Sequence, residues 1–317
     1  MSPLPARPEP RPGRDPGGRP APRAGRDRGP GDLQLALLPP DESLVLSATR
    51  LDVWRSCRRR YLFQYVQRLP ARTTEPLWIG RLVHRVLERL VALPPAERRE
   101  EAALALLDRL WPEEADRRSA FPSPEREQAA RQRARAMLAA WVRRERARLG
   151  PDSRLVGLEL PLSLRLGDGL AFTGRIDRLE WREGGLELVD YKTGRPRSAP
   201  ALRRDLQAVA YAWLVESVWG RPVERVTFWF LAVDRLVTFP VDREAASALP
   251  DRLRAEGRAI REERLYPARP GPACRWCDYL ALCPEGQQAA RRLASRQAGG
   301  SAGAAPSQAA RSSDSGR

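Results

Sequence analysis

The stretch GRIDRLEWREGGLELVDYKTG, residues 174–194, predicts two β-strands joined by a tight turn. Glu-Gly-Gly at positions 183–185, a turn sequence typical of hairpins, lies between its two strand-like halves. Residues two apart on a strand point to the same face, so Asp190 and Lys192 project together, and the turn brings Asp177 beside them. Two carboxylates that converge with an ammonium group are costly in an apolar core and typical of a site for Mg²⁺ or Mn²⁺.

The lysine of this stretch is unusual for the chain. A lone Asp-x-Lys tripeptide is common, and its ordinary interpretation is a salt bridge on an exposed strand. Lys192 is, however, the only lysine among 56 basic residues, and His84 is the only histidine. A compact ammonium group approaches a water or phosphate oxygen in ways that a planar guanidinium does not, so its presence here indicates a chemical role.

The sequence around this hairpin predicts an α+β fold, with a central mixed sheet flanked by helices. Ser47 is the expected N-cap of a helix that continues through residue 66. Further helices are expected at 78–93, 124–149, about 201–218 and 243–263, and strands at 154–166, 170–181, 186–192 and on either side of Asp234.

Composition limits the domain organisation and the class of partner. Residues 1–40, rich in Pro, Arg and Gly, and the small polar residues 290–317 are expected to be disordered tails around one domain at 41–289. The net charge of +16 favours a polyanionic partner such as DNA or RNA, although such charge also serves solubility alone. No apolar run of about 18 residues and no signal-peptide pattern is present, so we expect a cytoplasmic protein and no membrane partner.

Four weak motifs occur in a fixed order along the chain. They are Gly80-x-x-x-His84, Gly174-x-x-Asp177, Asp190-Tyr191-Lys192 and Gln207-x-x-x-Tyr211. The ordered set resembles the core of the PD-(D/E)XK nucleases, a restriction-endonuclease-like fold, and specifically their RecB-like exonuclease branch. The resemblance covers about residues 43–285.

The resemblance implies roles for these residues. Asp177 and Asp190 would be the principal metal ligands, with His84 and the carbonyl of Tyr191 as further ligands. Lys192 would position the attacking water. Gln207 and Tyr211, four apart and therefore on one helical face, would contact the site or the DNA backbone. Taken alone, His84 and Tyr211 would be interpreted as residues of the packed core. Glu159, on the first strand, is either an additional acid of the site or a solvent-facing residue.

The four cysteines form a second pattern. Cys274, Cys277 and Cys283 are spaced C-x2-C-x5-C, and Cys57 lies far upstream. One early cysteine followed by a late triplet resembles the iron–sulfur staple of AddB-type and CRISPR-associated RecB-like nucleases, which implies a 4Fe–4S cluster. A Cys₄ zinc site is the alternative, although such sites more often use two C-x2-C pairs.

These patterns together predict a metal-dependent deoxyribonuclease, by resemblance an exonuclease of DNA repair, recombination or defence. The alternative is a non-catalytic DNA-binding scaffold subunit of a helicase–nuclease complex. The chain has no G-x-x-x-x-G-K-[ST] motif, so any helicase activity would come from a partner protein.

Overall fold

The computed structural model describes residues 44–148, 153–182 and 185–300, with side chains as far as residue 295. Its strands are β1 (Leu44–Leu46), β2 (Arg154–Gly167), β3 (Leu170–Arg182), β4 (Gly185–Lys192), β5 (Val223–Phe230) and β6 (Arg235–Pro240). Its helices are α1 (Ala48–Ser56), α2 (Arg58–Tyr61), α3 (Glu75–Val91), α4 (Glu100–Leu110), α5 (Arg117–Ala120), α6 (Pro124–Arg148), α7 (Ala199–Arg203), α8 (Leu206–Trp219), α9 (Arg243–Ser247), α10 (Leu249–Glu262) and α11 (Pro284–Gly300).

The six strands form one mixed sheet, as the sequence predicts. β2, β3 and β4 are consecutive antiparallel strands, while β1 lies parallel to β3 and β4 lies parallel to β5. The hairpin around Asp234 pairs β5 with β6, and Asp234 itself takes the left-handed conformation that a tight turn requires.

β3 is the strand that creates room for a site. β2 pairs with β3 from Leu170 to Trp181 on one side. On the other side, residues 170–172 pair with β1 and residues 178–182 pair with β4. Within the described residues, 173–177 therefore have no strand partner on that side, so their backbone borders an opening in the sheet.

Helices cover both faces of the sheet. On one face, α3, α4 and α6 share a core with Val189, Tyr191 and Trp229 of β4 and β5. On the other face α8 packs on β3, where the rings of Phe172 and Trp213 lie 6.0 Å apart. Asp205 caps the N-terminus of α8 by accepting the backbone N–H of Gln207 at 2.8 Å.

The structure differs from the sequence analysis in the helix that follows Ser47. The helix capped by Ser47 does not run unbroken to residue 66: Cys57 has extended backbone angles and separates α1 from α2, which passes into a π-helical turn. Helix α11 spans Pro284–Gly300 and includes the first residues of the segment predicted to be a tail, whose disorder stays a prediction. Residues 1–40, the turn at 183–184 and the C-terminal residues 301–317 lie outside the described residues.

Four elements have no counterpart in the sequence analysis, namely β1, α4, α5 and α11. Within the part of the chain that the structure describes, no helix is long and apolar enough to cross a bilayer.

Candidate active site

The candidate site begins where β4 separates from β3. The last ladder pair between these strands is Arg178 with Val189. Beyond this pair, the backbone N–H of Tyr191 donates to Oδ2 of Asp177 at 2.8 Å. A side-chain carboxylate therefore takes the place of a hydrogen bond between the two strands. The opening in the sheet thus fixes Asp177, which is 9% exposed, at the base of the cleft.

His84 approaches the same point from α3. Its Nε2 lies 3.0 Å from the carbonyl oxygen of Tyr191, and its Nδ1 lies 3.5 Å from Asp177 and 3.8 Å from Glu159. Burial alone would lower the pKa of His84, but hydrogen bonds to the Asp177 and Glu159 carboxylates outweigh burial and raise this pKa to about 10.

Glu159 belongs to the same cluster. It lies on β2 between the pairs Leu158–Arg178 and Leu160–Ile176, which places it opposite Asp177. Its φ of 44° is in the left-handed region, which is rare for a non-glycine residue other than Asn or Asp and is concentrated at functional sites. One ligand atom from each of His84, Glu159 and Asp177 lies within 4.8 Å of the others.

Asp190, Lys192 and Gln207 form a closed triangle beside this cluster. Nζ of Lys192 lies 2.6 Å from Oδ2 of Asp190 and donates to Oε1 of Gln207 at 2.7 Å. Nε2 of Gln207 donates to Oδ1 of Asp190 at 2.7 Å. Burial and, second, the Asp177 charge raise the pKa of Asp190 to about 7, against the opposing effect of Lys192.

The glycines of the motifs are explained by packing. A Cβ at Gly174 would lie 2.7 Å from the ring of Tyr211, so the tyrosine covers the strand only because residue 174 has no side chain. A Cβ at Gly80 would lie 3.3 Å from Oγ1 of Thr193, directly after the Asp-Tyr-Lys sequence. Burial raises the pKa of Tyr211 to about 12, so its hydroxyl stays neutral.

The donor set suits a hard divalent cation. Carboxylate oxygens, a backbone carbonyl and an imidazole converge at the cleft, and the mutual repulsion that raises the pKa of Asp190 is what a bound cation would relieve. The structure brings His84 and Asp177 together with Glu159, while Asp190 lies outside this three-residue group and contacts Lys192 and Gln207.

The four cysteines are also brought together. All four line one small cavity, although Cys57 comes from the α1–α2 junction and the others from the segment before α11. The backbone N–H groups of Gly271 and Gly286 point at the sulfurs of Cys274 and Cys283, at 3.3 and 3.4 Å. Hydrogen bonds of this kind stabilise thiolates that bind metal.

The fold and the acid–lysine cluster define a protein of the nuclease type. The chain belongs to the PD-(D/E)XK nuclease superfamily, whose family model matches residues 45–284. This match confirms the predicted superfamily.

Individual relatives match more narrowly. The CRISPR-associated exonuclease Cas4/endonuclease Cas1 fusion of Myxococcus xanthus (strain DK1622) is 33% identical over 152 residues, which is 44% of this chain and 25% of that protein. The chain therefore spans about a quarter of the length of this curated relative. The crystal structure of SSO0001 matches 76% of this chain and 85% of its own chain, at 15% identity and with a TM-score of 0.36.

Proposed function

We propose that this protein is a metal-dependent DNA exonuclease of the RecB-like branch. The observation that carries the proposal is the position of the only lysine, whose ammonium is held by Asp190 and Gln207 beside the His84–Asp177–Glu159 cluster. The net charge of +16 supports a polyanionic substrate.

Asp177, Asp190, His84, Glu159 and the Tyr191 carbonyl are the proposed ligands of Mg²⁺ or Mn²⁺. A bound divalent cation would supply positive charge at the scissile phosphate and lower the pKa of a bound water. Lys192, fixed at two points, orients the attacking water and stabilises negative charge on the phosphate oxygens. Gln207 holds the side chains of Lys192 and Asp190 in place with one hydrogen bond to each. Tyr211 packs over Gly174 to close the cleft.

The test is cleavage of end-labelled single- and double-stranded DNA with Mg²⁺, Mn²⁺ or EDTA. We expect cleavage with metal, none with EDTA, and a loss of at least about 100-fold in Lys192→Ala. Gln128→Ala, an exposed glutamine on α6, is the control that should keep full activity. Undiminished cleavage by Lys192→Ala would contradict the mechanism.

Circular DNA distinguishes the mode of cleavage. An exonuclease leaves closed single-stranded circles intact and degrades their linear form, whereas cutting of the circles would contradict the exonuclease assignment. DNA binding without any cleavage would favour the scaffold subunit instead.

The four cysteines are proposed to hold a 4Fe–4S cluster. One early cysteine followed by a late C-x2-C-x5-C triplet supports a cluster over a Cys₄ zinc site, which more often uses two C-x2-C pairs. Iron, acid-labile sulfide and zinc contents of anaerobically purified protein separate the two cases.

The relative from Myxococcus xanthus joins a Cas4 exonuclease to a Cas1 endonuclease in one polypeptide. On that basis we propose a cytoplasmic role in DNA defence or repair beside a second protein, an endonuclease or a helicase. Co-purification from the native host, with nuclease-dead Lys192→Ala as bait, tests this association.

A further inference from the structure

Trp276 is placed differently from every other tryptophan of the chain. Its side chain is 79% exposed, whereas the other eight are buried or half-buried. It lies between Cys274 and Cys277, in a 3₁₀ turn that spans Pro272–Trp276. An exposed indole at this position contributes little to the core.

The turn that carries Trp276 is firmly anchored. Tyr279, three residues on, is buried against Phe63 at a ring distance of 5.5 Å, and its hydroxyl donates to the carbonyl of Leu69 at 3.0 Å. Backbone hydrogen bonds from Cys277 and Leu280 close the loop. The indole is therefore held outward on a rigid support, which lowers the entropic cost of stacking a ligand on it.

A cation accompanies the indole. The guanidinium of Arg275 lies 5.2 Å from the centre of the Trp276 ring. Within the described residues, no carboxylate lies within ion-pair distance of Arg275. The exposed arginines of α6 differ in this respect, because Arg131 and Arg144 pair with Asp108 and Asp234. Arg275 thus keeps its charge available for a ligand.

We infer that Trp276 and Arg275 form a stacking site for an unpaired base of single-stranded DNA. A flat aromatic surface with an adjacent unpaired cation is the combination by which proteins hold single strands without reading their sequence. The exposed Arg269, on the wall of the same cysteine cavity, extends the positive charge along which the backbone would run. The inference rests on the proposed function, in that it assigns the strand-binding contact of a DNA nuclease.

The experiment compares two labelled strands of equal length, oligo-dT and a fully abasic strand, with full-length protein in EDTA so that nothing is cleaved. We expect wild type to bind oligo-dT more tightly than the abasic strand. Trp276→Ala should bind oligo-dT about 5-fold or more weakly and lose most of this preference, while Trp276→Phe retains part of it. Leu265→Ala, at an exposed apolar residue that does not line the cysteine cavity, should bind as wild type does.

The ratio of the two affinities within each variant reports stacking independently of folding or metal content. An unchanged ratio in Trp276→Ala overturns the inference. The same result is expected if this surface contacts a protein and not DNA. A separate cleavage assay on wild type keeps the two proposals apart, since a loss of base preference in Trp276→Ala stands even if the wild type does not cleave DNA.

Discussion

Gly174 shows how a single missing side chain shapes the cleft. Any Cβ there would lie 2.7 Å from the ring of Tyr211, on the part of β3 that has no neighbouring strand on the cleft side. Gly174→Ala should therefore displace the tyrosine, lower the free energy of unfolding by about 1–3 kcal/mol and reduce cleavage. Urea denaturation and steady-state cleavage rates measure the two effects.

The matched control is Gly194→Ala, at the end of the same motif stretch, where a Cβ would meet no atom within 4 Å and φ is not positive. This variant should keep its stability. Equal stability of Gly174→Ala and wild type would show that Tyr211 does not need the space.

At the level of residues, the sequence predicts some site members better than others. Asp190 and Lys192 are two apart on a recognisable strand, so their convergence follows from strand geometry alone. Glu159 could not be assigned in this way, because its contribution depends on a left-handed backbone that a glutamate does not signal. The His84 contacts likewise depend on how α3 crosses the sheet edge, which no local pattern encodes.

At the scale of elements, a buried ion network joins α6 to the sheet. Glu145 on α6 is 1% exposed and lies 3.2 Å from Arg98 and 2.9 Å from Arg178 of β3. Arg178 in turn donates to the hydroxyl of Tyr191 at 3.4 Å, directly behind the site. The network therefore ties the backbone that carries Asp190 and Lys192 to the helical layer.

Glu145→Ala leaves the buried guanidinium of Arg98 without its carboxylate partner, while Arg178 keeps Glu180. Because a buried charge without a partner is costly, we expect a loss of about 3–5 kcal/mol in the free energy of unfolding. Asp108→Ala removes the exposed partner of Arg131 and Arg135 on the same helix and should cost no more than about 1 kcal/mol. Similar urea midpoints for the two variants would mean that the buried network adds no more stability than a surface pair.

Long regular elements were predictable from sequence, whereas interruptions were not. The alternation of β2 to β4 and the amphipathic stripe of α3 give clear periods. The break at Cys57 gives no such signal, since the residues around it have unbroken helical periodicity. Only the tertiary placement of the thiol requires an extended residue there. β1 has three residues, too few to show a period, and depends on its parallel partner β3.

At the scale of the whole molecule, the charge excess predicts a polyanionic partner but not the place where that partner binds. Many arginines are used internally: Arg148 and Arg178 are buried with Glu180, and Arg55 and Arg58 pair with acids of the α10 region. The free positive charge is therefore more local than the value of +16 suggests, and only the folded structure shows which cations remain available.

Cys57 connects the two ends of the described chain, because its sulfur lines a cavity with three cysteines that precede α11. A metal group held there closes a very long loop and so restricts the unfolded chain.

If the closure acts like a covalent cross-link, Cys57→Ser should lower Tm by roughly 10 °C and reduce the bound metal. Leu282→Ser, an exposed residue next to Cys283, should change neither quantity. Calorimetry and metal analysis of both variants, at equal protein concentration, give the comparison. Full metal content and an unchanged Tm in Cys57→Ser would show that the three late cysteines bind without it and that the chain ends are held by packing, as by Phe63 against Tyr279.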